Sequence, residues 1–312
     1  MNRKQFLTNV GLGALGVLMP RTLVAKPALH EQFTALLSDL HVSALDPAAD
    51  YVGRSLGRMV AEILKRDPLP KRVVVFGDIA HLYGKKEDYV RAKALLQPLV
   101  DLGAEIVYGF GNHDCRERFY EVFPEQAGKS PVKGRQVSFL PAAGIDILML
   151  DSLDQPPAGD GSRVKGELGR EQGEWLLAEL PKWKKPVLVC AHHSVRELAA
   201  GDKPLLDLLY RSENVIGFVH GHNHFWKKDI HESYSPQGST MLRELSLPSS
   251  GFWGDIGYGW MQSSPAGCLV EVVEREFYYP RPKPSNERPG LWAQIVRENT
   301  GDTCEFRAPR VS

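Results

Sequence analysis

The chain has 312 residues with 38 basic and 38 acidic side chains, so no polybasic footprint points to a nucleic-acid polymer. With 43% hydrophobic residues it can bury a substantial core, and its length suits one large α/β domain or two small ones. Four cysteines, Cys115, Cys190, Cys268 and Cys304, show no C-x-x-C spacing, which excludes zinc-knuckle and thioredoxin-type motifs.

Arg3-Lys4-Gln5-Phe6-Leu7 precedes an apolar, glycine-rich run from Val10 to Met19, and the first acid is Glu31. A basic start, an apolar middle and small residues up to Ala25 have the layout of an export signal, with cleavage expected after Ala25. Arg-Lys-x-Phe-Leu resembles the twin-arginine signal with lysine in the second basic position. The apolar run is too short for a comfortable membrane span. Removing residues 1–25 deletes Arg3, Lys4 and Arg21 and no acid, so the remainder carries 35 minus 38, or −3. Residues 26–312 are expected to form a single domain, exported to the periplasm or beyond, with no stable membrane span.

Next comes a strand pattern at Phe33–Leu37, delivering Asp39-Leu40-His41. Tyr51 to Arg66 has helical spacing, ended by Asp67-Pro68. Val73–Phe76 reads as a strand carrying Gly77-Asp78, and Lys85 to Leu102 as a helix that stops before Gly103, with Pro98 placed to bend its last turn. Ala104–Phe110 delivers Gly111-Asn112-His113-Asp114. This alternation of strand and helix is that of an α/β sheet. Val137–Leu140 and Ile145–Leu150 read as a hairpin, and Glu171 to Leu180 as a helix whose Trp175 packs in the core. Val187–Cys190 leads to Ala191-His192-His193; a short helix at Pro204–Tyr210 follows, and Val215–Val219 leads to His220-Gly221-His222-Asn223-His224. Phe252 to Trp260 reads as an aromatic, glycine-rich loop. The remainder is mostly β: Met241–Ser246, Cys268–Val273, Glu276–Tyr279 and a last strand around Cys304 to Arg307, after an extended segment with Pro280, Pro282 and Pro284. Cys190 and Cys268, lying in apolar runs, read as buried thiols, and Cys115 as a free one.

Five clusters of Asp, His and Asn each stand at the end of a strand, where open α/β sheets bind ligands. Side chains two apart on a strand share a face, so His222 and His224 point the same way; His220 shares their parity but lies further back. The mixed donor set suits borderline and hard ions such as Zn, Fe and Mn. Two cations about 3.5–4 Å apart bind phosphoryl oxygens and turn a bridging water into hydroxide near neutral pH, while an imidazole serves as acid to the leaving group.

The order Asp39-x-His41, Gly77-Asp78, Gly111-Asn112-His113-Asp114, His192, Gly221-His222-x-His224 resembles the calcineurin-like metallophosphoesterases over residues 39 to 224. That resemblance implies two mixed β-sheets forming a sandwich flanked by helices, and dimetal hydrolysis of phosphate esters by a metal-bridging hydroxide. Asp39, His41 and His224 would bind one ion, Asn112, His192 and His222 the other, and Asp78 would bridge them. His113 would be the general acid, oriented by Asp114. The ions would be Mn, Fe or Zn, and the partner a small phosphate ester, phosphodiesters before monoesters. Family members usually carry Asp or Asn where this chain has His81, which would support the acid or reach the substrate. His193, placed near the substrate or in the core, and Trp253 are further candidates for substrate contact. Two rivals are a scaffold that has lost catalysis, set against a complete ligand set, and a lactamase-like hydrolase, set against the absence of a His-x-His-x-Asp-His run.

Overall fold

The computed structural model describes residues 28–44, 50–154, 165–235, 238–278 and 301–309. The export signal at 1–25 and the proline-rich segment at 280–284 lie outside them.

Strand β1 (Leu29–Leu37), helix α1 (Asp50–Ile63), β2 (Leu69–Val75), α2 (Lys86–Leu102) and β3 (Glu105–Tyr108) make two parallel crossovers, followed by the short helix α3 (Arg116–Val122). A hairpin of β4 (Ser138–Pro141) and β5 (Asp146–Met149) leads through α4 (Arg170–Glu179) to β6 (Val187–Cys190), and through α5 (Lys203–Arg211) to β7 (Val215–His220). The chain closes with β8 (Lys227–Ser235), β9 (Gly238–Ser246), β10 (Gly254–Ser264), β11 (Gly267–Tyr278) and β12 (Thr303–Arg307). They form two six-stranded mixed sheets, ordered β12-β11-β10-β1-β2-β3 and β4-β5-β6-β7-β9-β8.

Alternation along the strands sorts the side chains into three apolar layers. Leu36 of β1 and Val74 of β2 point between the sheets, onto Met149, Leu188, Val219 and Leu245. Their neighbours Ala35, Leu37, Val73 and Val75 point the other way, under Leu56, Met59, Val60 and Ile63 of α1 and Leu96 and Leu99 of α2. The outer face of the second sheet buries Leu148, Val189 and Phe218 against Leu176 of α4 and Leu205 and Leu209 of α5. The fold is therefore the α/β/β/α sandwich expected from the sequence. Helix α2 runs through Pro98 and ends at Gly103, whose φ of 98° is left-handed and whose N–H returns to the last turn. All four cysteines are free and buried.

Three stretches differ from the sequence reading. The aromatic loop ends at Trp253; Gly254 onward is β10, a central strand paired with both β1 and β11. Gly259 is a packing device, since a Cβ on it would lie 3.2 Å from Leu36 and from Leu247. The two strands read around Cys268–Val273 and Glu276–Tyr279 are one strand, β11, with a register shift opposite Ile256/Gly257. Strand β8, polar along one edge, carries too weak an apolar signal to be read at all.

Candidate metal centre

Parallel strands β1, β2 and β3 of one sheet and β6 and β7 of the other end at one edge of the sandwich, and each is followed by one of the five polar clusters. There the backbone is strained. Six non-glycine residues have positive φ among the described residues, and five of them are Asp39, His41, Asp78, His222 and His224. Left-handed backbone at bulky residues is costly and gathers where a site over-determines the geometry. Two glycines make room for it. A Cβ on Gly111 would lie 2.2 Å from the Asp78 carboxylate, and one on Gly221 would lie 2.0 Å from the Ser38 hydroxyl and 2.7 Å from the Asp39 carboxylate.

The side chains converge as the sequence predicted. His224 Nε2 lies 3.3 Å from Asp39 Oδ1 and 3.2 Å from His41 Nε2, and His41 Nε2 lies 3.5 Å from Asp78 Oδ2. On the far side of Asp78, His192 Nε2 is 3.4 Å from Oδ2, 3.3 Å from Asn112 Oδ1 and 3.2 Å from His222 Nδ1. Asp39, Asp78 and His192 are buried, as are His41 and His224. Asp39, His41 and His224 bring one ligand atom each within 4.8 Å of one another, as do Asp39, Asp78 and His192.

The donor chemistry fits cations. His192 Nδ1 and His224 Nδ1 each donate at 2.8 Å to a backbone carbonyl, of Phe76 and Trp253 respectively. A neutral ring so held turns its Nε2 lone pair inward, toward carboxylate and amide oxygens that also only accept. Such a set is stable only around positive charge. Burial alone would lower His192, yet the neighbouring Asp78 carboxylate drives it up to about 10. Burial likewise opposes ionisation of Asp39 and Asp78, but the surrounding imidazoles hold both below the usual carboxylate range. Where no carboxylate compensates enough, as at His41 and His222, burial pushes the imidazole down.

A cavity of about 410 Å³ opens over this cluster, lined by His113, His81, Leu82, Phe225, Phe252 and Trp253 as well as by ligands. His113 Nδ1 donates to the Leu82 carbonyl at 3.0 Å, and its Nε2 lies 4.0 Å from Asp78 Oδ2. Trp253 packs at a tilt against the His224 ring at 4.5 Å, and Phe252 packs against His41 and His81 at 5.1 and 5.2 Å.

One sequence assignment needs correction, and one open alternative is decided. Asp114 was expected to orient His113; instead its carboxylate accepts from the backbone N–H groups of Ile79, Ala80 and Gly111 at 3.0–3.3 Å and from the Tyr89 hydroxyl at 3.1 Å. Asp114 pins the β2 and β3 loops to each other, and the carbonyl of Leu82 orients His113. Burial and the neighbouring Asp78 raise Asp114 to about 6, against those N–H bonds. Of the two places open to His193, the core is the one it takes, not the substrate contact: it is fully buried behind His192 and His222, and its Nδ1 meets the Ser152 hydroxyl at 2.9 Å. Sequence reading missed Ser38, whose hydroxyl donates to Asp39 at 2.5 Å, and Glu197, which reaches His222 Nε2 at 3.8 Å. Ser38 was findable beside Asp39; nothing in the pattern around Glu197 marks it.

Residues 34–225 match the family model described as calcineurin-like phosphoesterase. A probable cyclic nucleotide phosphodiesterase of Rhodopseudomonas palustris is 32% identical over 166 residues, 51% of this chain and 56% of that protein. A cAMP/cGMP dual specificity phosphodiesterase of Mycobacterium tuberculosis is 27% identical over 180 residues, 54% of each chain. The chain thus spans about half the length of these curated relatives. Among solved structures, a dimetal phosphatase from Danio rerio superposes with a TM-score of 0.57 at 15% identity, covering 78% of this chain and 96% of that one.

Proposed function

The chain belongs to the calcineurin-like phosphoesterase family, and on that premise we propose that it hydrolyses small phosphodiesters at the cluster around Asp78. The observation that carries this reading is the meeting of Asp39, His41, Asp78, Asn112, His192, His222 and His224 around inward-facing acceptor atoms under one open cavity. Asp39, His41 and His224 would hold one divalent or trivalent cation, Asn112, His192 and His222 a second, with Asp78 between them. When bound, such a pair neutralises phosphoryl oxygens and acidifies a water for attack near neutral pH. His113, fixed through Nδ1 by Leu82, presents Nε2 to the same cavity. In its protonated form it would give that proton to the leaving alkoxide, so that the alcohol departs neutral.

The cavity wall favours a diester over a monoester. No lysine or arginine lines it among the described residues, so a dianionic monoester would find no side-chain cation beyond the metal pair. Phe225, Phe252 and Trp253 instead offer flat apolar surface, suited to stacking a nucleobase. The names of the relatives point the same way, toward a cyclic nucleotide. Export remains part of the proposal: mature protein recovered from the periplasm should begin at Lys26.

The test compares bis(4-nitrophenyl) phosphate and a cyclic mononucleotide with 4-nitrophenyl phosphate, with Mn²⁺ added. Higher kcat/KM on the diesters and loss of both activities with chelator are expected. Turnover indifferent to chelator would overturn the dimetal reading, and a clear preference for the monoester would overturn the diester assignment.

A further inference from the structure

A second group of buried imidazoles and carboxylates lies on strands β7, β9 and β8, outside the cluster around Asp78. The register sets Phe218 and His220 of β7 beside Glu244 and Ser246 of β9, and Asp229 of β8 directly opposite Glu244. Alternation then places His220, Glu244, Ser246, Asp229 and His231 on one face of the sheet. Four of them are buried polar side chains: His220, His231, Glu244 and Ser246 are 3, 7, 2 and 3% exposed. Burying so much polarity at a sheet edge is costly unless the groups are paired.

They are paired incompletely. Glu244 takes the Val195 N–H at 2.9 Å and meets His231 Nε2 in a short contact. His220 Nε2 stands 3.7 Å from the other Glu244 oxygen, too far for a hydrogen bond. Among the described residues the buried Ser246 hydroxyl has no hydrogen-bond partner, and Ser246 lines a cavity of about 330 Å³ with His220, Glu244 and Asp229. Like charges directly opposed across strands, as Asp229 and Glu244 are, repel. Lys227 answers only Asp229, at 2.7 Å, and that lysine is 63% exposed, so it can leave for water at little cost.

We propose that this face binds a third divalent cation of the zinc class through His220, His231, Asp229 and Glu244. Ligand atoms of Asp229, His231 and Glu244 already lie within 4.8 Å of one another. Two imidazoles with two carboxylates are a borderline donor set that matches zinc and its neighbours better than calcium or magnesium. A cation there answers the facing carboxylates, gives the His220 lone pair a partner and leaves Ser246 beside a polar ion. The proposal is independent of the phosphodiesterase reading, because none of these residues lies in the cluster around Asp78.

Full-length protein is stripped with chelator, reloaded with Zn²⁺, freed of excess ion and counted for zinc per chain. Asp229→Asn, and separately His231→Gln, should each carry one ion fewer than wild type. The same loss should appear when Asp229→Asn is added to Asp78→Asn, so that depletion of the catalytic cluster and of this site are read separately. Asp229→Asn alters a half-buried side chain at the edge and keeps the fold testable where His231→Gln does not. Equal zinc counts with and without Asp229→Asn, in both backgrounds, overturn the proposal.

Discussion

Around Asp39 the donors are two carboxylates, counting the shared Asp78, and two imidazoles, all of them buried. Around Asn112 the same Asp78 is joined by a neutral amide and two imidazoles, and the His222 side chain is 15% exposed. Each half draws donors from both sheets, so the difference lies in charge and access rather than architecture. One half would neutralise a bound cation more fully and shield it from water; the other would leave its ion more positive and within reach of exchange. A hydrolase gains from that asymmetry, because an incompletely neutralised ion polarises a phosphoryl oxygen more strongly.

The largest expected effect comes from removing what the halves share. Asp78→Asn should release both ions and bring turnover to the background rate, with metal content measured beside activity. Retention of one tightly held ion that persists when Asp229→Asn is added would show that the Asp39 half stands alone. Next in size is His113→Ala, which touches neither half's donor set. It should lower kcat on diesters by about 10²–10⁴-fold with metal content unchanged. The loss should shrink for a diester whose leaving phenol needs no proton, which separates an acid from a residue that merely positions. Smaller is Asn112→Asp, which equalises charge between the halves. The second ion should then resist chelator, its dissociation constant falling by about tenfold or more as a carboxylate replaces an amide. Simultaneous release of both ions from the wild type would break the comparison outright.

How far this was readable in the sequence follows from what each residue faces. Asp39, Asp78, Asn112, His192 and His224 sit directly after buried parallel strands, so an apolar run announced each one and the sheet order brought them together. The same runs announced an α/β sheet, while the second sheet and the sandwich came from the family resemblance. Strand β10 was not readable, because Gly254, Gly257 and Gly259 look like turn residues until Leu36 and Leu247 are seen pressing on the last of them. Asp229 and His231 were not, because a polar alternation on an edge strand looks like solvated surface. Asp114 was read by its neighbour in the chain, while two of its partners come from another loop 34 and 35 residues away.

That last residue gives the smallest effect on chemistry and the sharpest test of the asymmetry. The Asp114 carboxylate receives three backbone N–H groups and one hydroxyl, holding the loop with Asp78 against the loop with Asn112. In Asp114→Asn one carboxylate oxygen becomes an NH₂ that faces donors, so at least one buried N–H loses its acceptor. The cost is about 1–3 kcal/mol of stability, a fall of roughly 2–10 °C in Tm for a domain of this size. The Asp39 half depends less on that tie, since the His41 and Val42 N–H groups bond the loop with Asp78 to the loop with Asp39, which is itself held by Ser38 and by the His222 backbone N–H. Affinity should therefore fall by about 10–100-fold for the ion beside Asn112 and hardly at all for the other. Equal weakening of both ions would mean that Asp114 supports the site as a whole, and the independence argued for the two halves would be lost.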